Sequence, residues 1–356
     1  MSTTSLHLRP IQFVDTPIGR DGAVARLAGG MLWFSAYEVI EDDRRRTVAI
    51  DDLDALLSDE RAAKLHAAIT APRAPLVLGA RTLRFDQPSV AGILNVTPDS
   101  FSDGGALHDD PASAASAGVA LAAAAGAALI DVGGESTRPN AATVWEGDEI
   151  TRVVPVIERL ARSGTLVSID TRKASVMEAA LGAGAAIVND VSALLWDDRA
   201  LAVVAKAGCP VVLMHSPEPS KGPHGGTGYQ DVVVEVFDWL ADRIAAVVAG
   251  GVDRARIIVD PGIGFGKSLS DNLALINGLA LFHGLGCPIL LGASRKRMIG
   301  ALSNEAPVGE RLGGSIALAM AGIASGAQML RVHDVAETVQ AVRVWRGLRD
   351  RALVGR

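Results

Sequence analysis

From about residue 90 onward the chain alternates two kinds of segment. Short, mainly apolar runs end in a polar side chain or a glycine, and stretches with helical spacing follow them. The runs are "GILNV", "ALIDVGG", "LVSID", "AIVND", "VVLMH", "IIVDPG", "ILLGAS" and "QMLRVHD", eight in all. Runs of Ile, Val and Leu without alternation suit strands buried on both faces of a parallel sheet. Between them, "YQDVVVEVFDWLADRIAAVVAG" places Val233, Val236, Phe237, Leu240, Ile244 and Val247 on one helical stripe. Eight strand-helix units predict an α/β fold, a (β/α)8 TIM barrel. An open doubly wound sheet is the alternative arrangement of the same pieces.

Residues 1 to 75 do not repeat the unit and form an N-terminal α/β extension; the barrel domain runs from 76 to 356. In the extension "GGMLWFSAYEVI" reads as a strand and "SDERAAKLHAAI" as a helix capped by Ser58. "DDRRR" reads as a solvated turn, and Pro72 and Pro75 mark the boundary. "LVLGARTLRFDQP" then reads as a hairpin over 76 to 89, placed to close the lower end of a barrel spanning about 90 to 350.

Composition narrows the function classes. Of 356 residues, 49% are hydrophobic, 21% charged and only 4% aromatic, so the core is built from aliphatic side chains. A net charge of -6 argues against a general nucleic-acid binder but not against an anionic small substrate. Only Cys209 and Cys287 are present, and no metal-binding Cys or His spacing occurs. No apolar segment is long enough for a membrane span, and the N-terminus lacks a signal core. A cytoplasmic protein is expected.

In a barrel the chemistry sits at the carboxyl ends of the strands. That rim would carry Asn95, Asp131, Asp170, Asn189, Asp190, His215, Asp260, Ser294, Arg331, His333 and Asp334. Three groups stand out. Two polar, glycine-flanked loops, "NVTPDSFSDGG" and "GGESTRPNAATVWEG", leave the first two strands and are expected to cover the rim; the first carries Phe101. Cations Arg295, Lys296 and Arg331, with His333, follow the last two strands, where barrels often bind phosphate. Asp170, Asn189 and Asp260 each end a different strand and together suit a flat heterocycle rich in N–H donors and ring nitrogens. "DPGIGFGKS" misses both the P-loop and the dinucleotide pattern by one residue, and Ser268 reads as the cap of the next helix.

Seven segments, "GILNVTPDSFSDGG", "DVGGESTRP", "VSIDT", "VNDVSA", "DPGIGFGK", "GASRK" and "RVHDV", resemble in order the motif series of bacterial dihydropteroate synthases, over roughly residues 78 to 350. The resemblance implies a pterin-binding TIM-barrel enzyme of folate biosynthesis. Such an enzyme joins 6-hydroxymethyl-7,8-dihydropterin pyrophosphate to p-aminobenzoate, with strong SN1 character, and releases pyrophosphate. It implies Mg2+ as the cofactor, competition by sulfonamides and a homodimer. By motif it implies pterin contacts from Asp170, Asn189, Met214, Asp260, Phe265, Lys296 and Arg331. Pyrophosphate falls to Asn95, Arg138, Arg331 and His333, with Asn95 also on the metal. The p-aminobenzoate side falls to Phe101, Thr137, Pro139 and Ser294, and catalysis to Asp170, Lys296, Arg331 and His333. The chain departs from the family pattern at "MHSPEPSKGPHGG", at Ile263 and at Arg297, which stands where a serine is usual. Two rival readings share the pterin floor: a methyltetrahydrofolate-dependent corrinoid methyltransferase, which needs neither the cations nor the loops, and a catalytically silent paralogue.

Overall fold

The computed structural model describes residues 6–42, 44–96, 111–136, 143–217 and 228–354. The chain opens with β1 (Leu6–Val14), β2 (Ala25–Arg26), β3 (Trp33–Glu41), β4 (Arg44–Ala49), α1 (Asp54–Leu57) and α2 (Glu60–Thr70). A short hairpin follows, β5 (Leu76–Leu78) and β6 (Arg81–Leu83). Then come β7 (Ser89–Asn95), α3 (Pro111–Ala123), β8 (Leu129–Gly133), α4 (Glu146–Arg162), β9 (Val167–Asp170) and α5 (Ala174–Gly182). Next are β10 (Ile187–Asp190), α6 (Ala200–Ala207), β11 (Val211–Met214), α7 (Val232–Ala249), β12 (Ile257–Asp260) and α8 (Leu269–Asn277). The last are β13 (Leu290–Leu291), α9 (Arg297–Leu302), α10 (Leu312–Ala324), β14 (Met329–Val332) and α11 (Val335–Val354).

Each of the eight apolar runs contains one strand of a single parallel sheet, β12-β11-β10-β9-β8-β7-β14-β13. The ladder closes into a barrel where Val259 of β12 bridges Ile289 beside β13 and its N–H donates to Pro288 O at 2.9 Å. At the amino end, Ala91, Leu129, Leu166, Ile187, Val212, Ile258, Leu290 and Met329 form one apolar layer. The hairpin adds Leu76 and Leu83, and Phe85 follows it, so this segment plugs the lower end as expected.

Helices cover the outside. On α7 the buried stripe is Val232, Val236, Phe237, Leu240, Ile244 and Val247, with Val233 only half-buried. Each such side chain contributes about 1.5–3 kcal/mol by leaving water. The α7 amino end is capped by Asp231, which accepts from Val233 and Val234 N–H. Among the described residues, no helix is long and apolar enough to cross a membrane.

The extension folds as an antiparallel sheet with β3 between β1 and the pair β2 and β4. Two sequence expectations need correction. The α2 cap is Asp59, whose side chain accepts from Ala62 N–H, while Ser58 Oγ donates backward to Ala55 O. Arg44, Arg45 and Arg46 are not a turn but the exposed start of β4, paired with Glu41, Ile40 and Val39 of β3. The ladder bonds outweigh the weak strand preference of a charged run.

The extension's core is continuous with that of the barrel's helical layer. His7 is fully buried, edge-on to Phe237 of α7 with ring centroids 5.1 Å apart, and its Nε2 lies 2.7 Å from Asp238 Oδ1. Arg45 pairs with Asp231, the α7 cap. The Arg73 guanidinium donates to Ala68 O, Ala71 O and, across the junction, His283 O. A Cβ at Gly284 would meet Leu65 of α2 and Phe237 at 3.1 Å, so glycine there allows the close approach. Deleting residues 1–75 is therefore expected to lower Tm by at least about 10 °C and to induce binding of a hydrophobic dye. An unchanged thermal melt would mark the extension as an appendage.

Candidate active site

Side chains alternate faces along a strand, so stepping by two from the apolar layer climbs the barrel interior. From Leu129 the steps are Asp131 and Gly133; from Leu166, Ser168 and Asp170; from Ile187, Asn189. From Val212 the next is Met214; from Ile258, Asp260; from Met329, Arg331 and His333; from Ala91, Ile93 and Asn95. The residues in between point the other way. Asp190, His215 and Asp334, expected on the rim, are thus corrected to structural roles. Asp190 accepts from Ser192 and Leu194 N–H in the turn after β10. His215 lies edge-on to Trp239 with centroids 4.9 Å apart. Asp334 pairs with Arg295.

The floor is a buried charge cluster. Arg331 Nε lies 2.5 Å from Asp131 Oδ2, and its Nη2 2.5 Å from Asp170 Oδ2. Asp131 also accepts from Ser168 Oγ at 2.5 Å and Asn189 Nδ2 at 3.0 Å. Asn189 therefore presents its carbonyl oxygen as the remaining acceptor. Burial pushes Asp170 up to about 7 against the pull of Arg331, while the two carboxylates hold Arg331 firmly protonated. Asp131 is the residue to which sequence reasoning gave no role. Its signal was there: a carboxylate in mid-strand, two residues from a buried leucine, must have buried partners.

Beside the cluster, Asp260 Oδ1 accepts from Gly262 N–H at 2.7 Å. Its Oδ2 faces Gly292, 3.5 Å from where a Cβ would sit, so glycine keeps that oxygen approachable. Burial raises Asp260, with the Gly262 bond, Lys296, Lys267 and Arg331 opposing. Lys296 Nζ stands 4.0 Å from the Phe265 ring centroid, and burial and Arg331 bring it down to about 8. Phe265, Met214 and Val191 form a small apolar wall of their own. A carboxylate, an amide oxygen, an ammonium and an apolar wall at one strand end describe a slot for a flat, polar-edged ring.

The leaving-group side is less cationic than its sequence suggests. His333 backbone N–H donates to Ser294 Oγ at 3.2 Å, and the same hydroxyl lies 3.1 Å from His333 Nδ1. Burial and the nearby Arg331 and Arg295 depress His333 to about 3, so it offers an N–H rather than a charge. Arg295 is occupied by Asp334, and its φ of 56° is held by Ser315 Oγ accepting from its N–H and by Arg311 donating to its carbonyl. Ser294, placed by resemblance on the p-aminobenzoate side, here orients His333. Asn95 ends β7 with its Oδ1 3.5 Å from the place a Gly133 Cβ would take, and Asp170 Cβ is 3.6 Å from that same point. Phe101, Thr137, Arg138 and Pro139 lie outside the described residues.

The pterin binding enzyme family matches residues 91–333. The chain belongs to the dihydropteroate synthase family of pterin binding enzymes. The dihydropteroate synthase of Escherichia coli (strain K12) is 46% identical over 264 residues, 74% of this chain and 92% of that one. The Xanthomonas albilineans dihydropteroate synthase structure with 4-aminobenzoic acid is 47% identical, covering 77% of this chain and 98% of that one, with a TM-score of 0.72. Another structure of that enzyme, in complex with 7,8-dihydropteroate, is 45% identical with a TM-score of 0.69 and covers 78% of this chain and 99% of that one. The extension lies outside the family match.

For this dihydropteroate synthase family member, Asp131→Ala removes one partner of a buried ion pair and leaves Arg331, Asn189 and Ser168 short of an acceptor. It is expected to cost about 3–5 kcal/mol of stability, read from the urea midpoint. Asp131→Asn keeps an acceptor and is expected to cost less.

Proposed function

We propose that the chain condenses 6-hydroxymethyl-7,8-dihydropterin pyrophosphate with p-aminobenzoate to give 7,8-dihydropteroate and pyrophosphate. The observation that carries this reading is the convergence of Asp260, Asn189 and Lys296 beside the Phe265–Met214–Val191 wall. Asp260 accepts from the pterin amino and ring N–H groups. Asn189 O accepts along the same edge, and Lys296 donates to the pterin carbonyl and ring nitrogen. These contacts hold the ring while the C–O bond at its exocyclic methylene breaks. The electron pair leaves with pyrophosphate, and the ring spreads the positive charge. The aniline nitrogen then bonds to the methylene carbon and loses a proton. An arylamine is nucleophilic at neutral pH, so no strong base is needed. Arg331 and the neutral imidazole of His333 meet the departing oxygens, an electrostatic role.

Mg2+ belongs to the reading as the companion of pyrophosphate. The donor set fits: Asn95 supplies one neutral amide oxygen at the rim, and among the described residues no cluster of His, Cys, Asp or Glu is built to hold a metal. That matches an ion held mainly by substrate phosphates. When bound it neutralises charge on the leaving group. The homodimer is also part of the reading; Val344 and Leu348 of α11 are exposed apolar side chains that a second copy would cover.

Purified protein supplied with the pterin pyrophosphate, labelled p-aminobenzoate and Mg2+ is expected to form labelled dihydropteroate, with a sulfonamide competing against p-aminobenzoate. Pterin binding without product would support the silent paralogue instead. Asp260→Ala is expected to weaken pterin binding by about 1–3 kcal/mol, measured by calorimetry. The pH profile follows from Lys296. As pH rises through about 8 it loses its proton and its charge, so kcat/KM for the pterin substrate falls above that value. Lys296→Gln is expected to lack that alkaline limb.

A further inference from the structure

Lys267 takes no part in the reaction above, yet it does not behave as a surface lysine. Its Nζ donates to Gly262 O at 2.8 Å, to Phe265 O at 3.1 Å and to His215 O at 3.4 Å. An ammonium has three donors, and here three backbone carbonyls take them. Two belong to the loop after β12, and the third belongs to the end of β11. The loop itself is tight: Gly262, Gly264 and Gly266 all have positive φ. A Cβ on Gly262 would lie within bonding range of His215 O, so the loop is pressed on the end of β11. A Cβ on Gly264 would sit 3.0 Å from Lys296 Cδ. From the far side, Asn272 Oδ1 accepts from Gly264 N–H, and its Nδ2 donates to Lys267 O and Ser268 O. The capping box of Ser268 and Asp271 starts α8 immediately after, which fixes the Lys267 backbone.

We propose that Lys267 is a positioning residue for the pterin pocket: its ammonium fastens residues 262–266 to the end of β11 and thereby places Phe265 against Lys296 and Gly262 N–H on Asp260. The proposal rests on the pterin reading of the site. Two observations carry it beyond a general structural role. The two groups it places, Phe265 and the Gly262 amide, touch the two side chains that would grip the pterin edge. When protonated, its charge also opposes the effect of burial on Asp260, while burial brings Lys267 itself down to about 7.

The test is Lys267→Met, which keeps the stem and removes charge and donors, with Lys267→Gln as the milder variant that retains an N–H2. Calorimetry reads the Kd of 6-hydroxymethyl-7,8-dihydropterin pyrophosphate in wild type and variants. Steady-state assays read KM for each substrate. The expected result for the Met variant is a pterin Kd and KM raised about tenfold, with KM for p-aminobenzoate unchanged and a smaller rise for Gln. An unchanged pterin Kd in either folded variant overturns the proposal. So does an equal loss for both substrates accompanied by a lowered Tm, which is the signature of a general structural role. If the Met variant fails to fold, the Gln variant decides by the same criteria. Because binding is read directly, a wild type that binds pterin but forms no pteroate sinks the enzyme reading and leaves the Lys267 comparison intact.

Discussion

Everything at the open end of this barrel depends on how buried charge is balanced. Asp131, Asp170 and Asp260 are nearly inaccessible, and three cations, Arg331, Lys296 and Lys267, lie among them. A lone carboxylate in such surroundings would take up a proton or force the barrel to rearrange. Here each has a cation in reach. Arg331 spans two of the carboxylates, and the charges of Lys296 and Lys267 both act on the third. The arrangement is weak evidence for stability, because hydrophobic replacements would pack as well. Its persistence in the middle of an otherwise aliphatic barrel makes sense as machinery for gripping a polar ring.

The barrel supplies this balance by simple parity. One apolar layer at the amino end sets the phase on every strand, and the polar residues two and four positions later face inward. The fold, the eight strands and the inward-facing polar residues Asp170, Asn189, Asp260 and Arg331 were therefore legible in the sequence. The same parity, applied with a phase, would have removed Asp190, His215 and Asp334 from the rim and promoted Asp131. What sequence patterning misses is the partner across the barrel. No spacing along the chain connects Asp131 with Arg331, and none reveals that Ser294 turns toward His333. The caps show the same limit on a small scale: Ser58 and Asp59 are adjacent candidates, and only the backbone geometry chooses Asp59.

The extension follows a different rule. It has no repeat to announce it, and its contacts are long-range: His7 with Asp238, Arg45 with Asp231, Arg73 with His283. Two of these reach the first turns of α7, the helix that follows β11 in the chain. The extension thus packs against the barrel's outer helical layer and shares its core.

Charge balance among the described side chains has a consequence for the leaving group. Arg331 is already engaged by two carboxylates and Arg295 by Asp334, while His333 is held neutral. The described residues thus offer pyrophosphate hydrogen bonds but little uncommitted positive charge. In the proposed reaction the missing charge has to come with the substrate or from the loops. In that proposal Asn95 would help to hold a divalent ion with its neutral amide oxygen, and the ion would supply the charge without another buried cation in the floor. A permanent extra cation would strip the carboxylates of their acceptor strength toward the pterin. Delivering the charge with the substrate keeps the floor balanced before binding and places the new charge only where the C–O bond breaks.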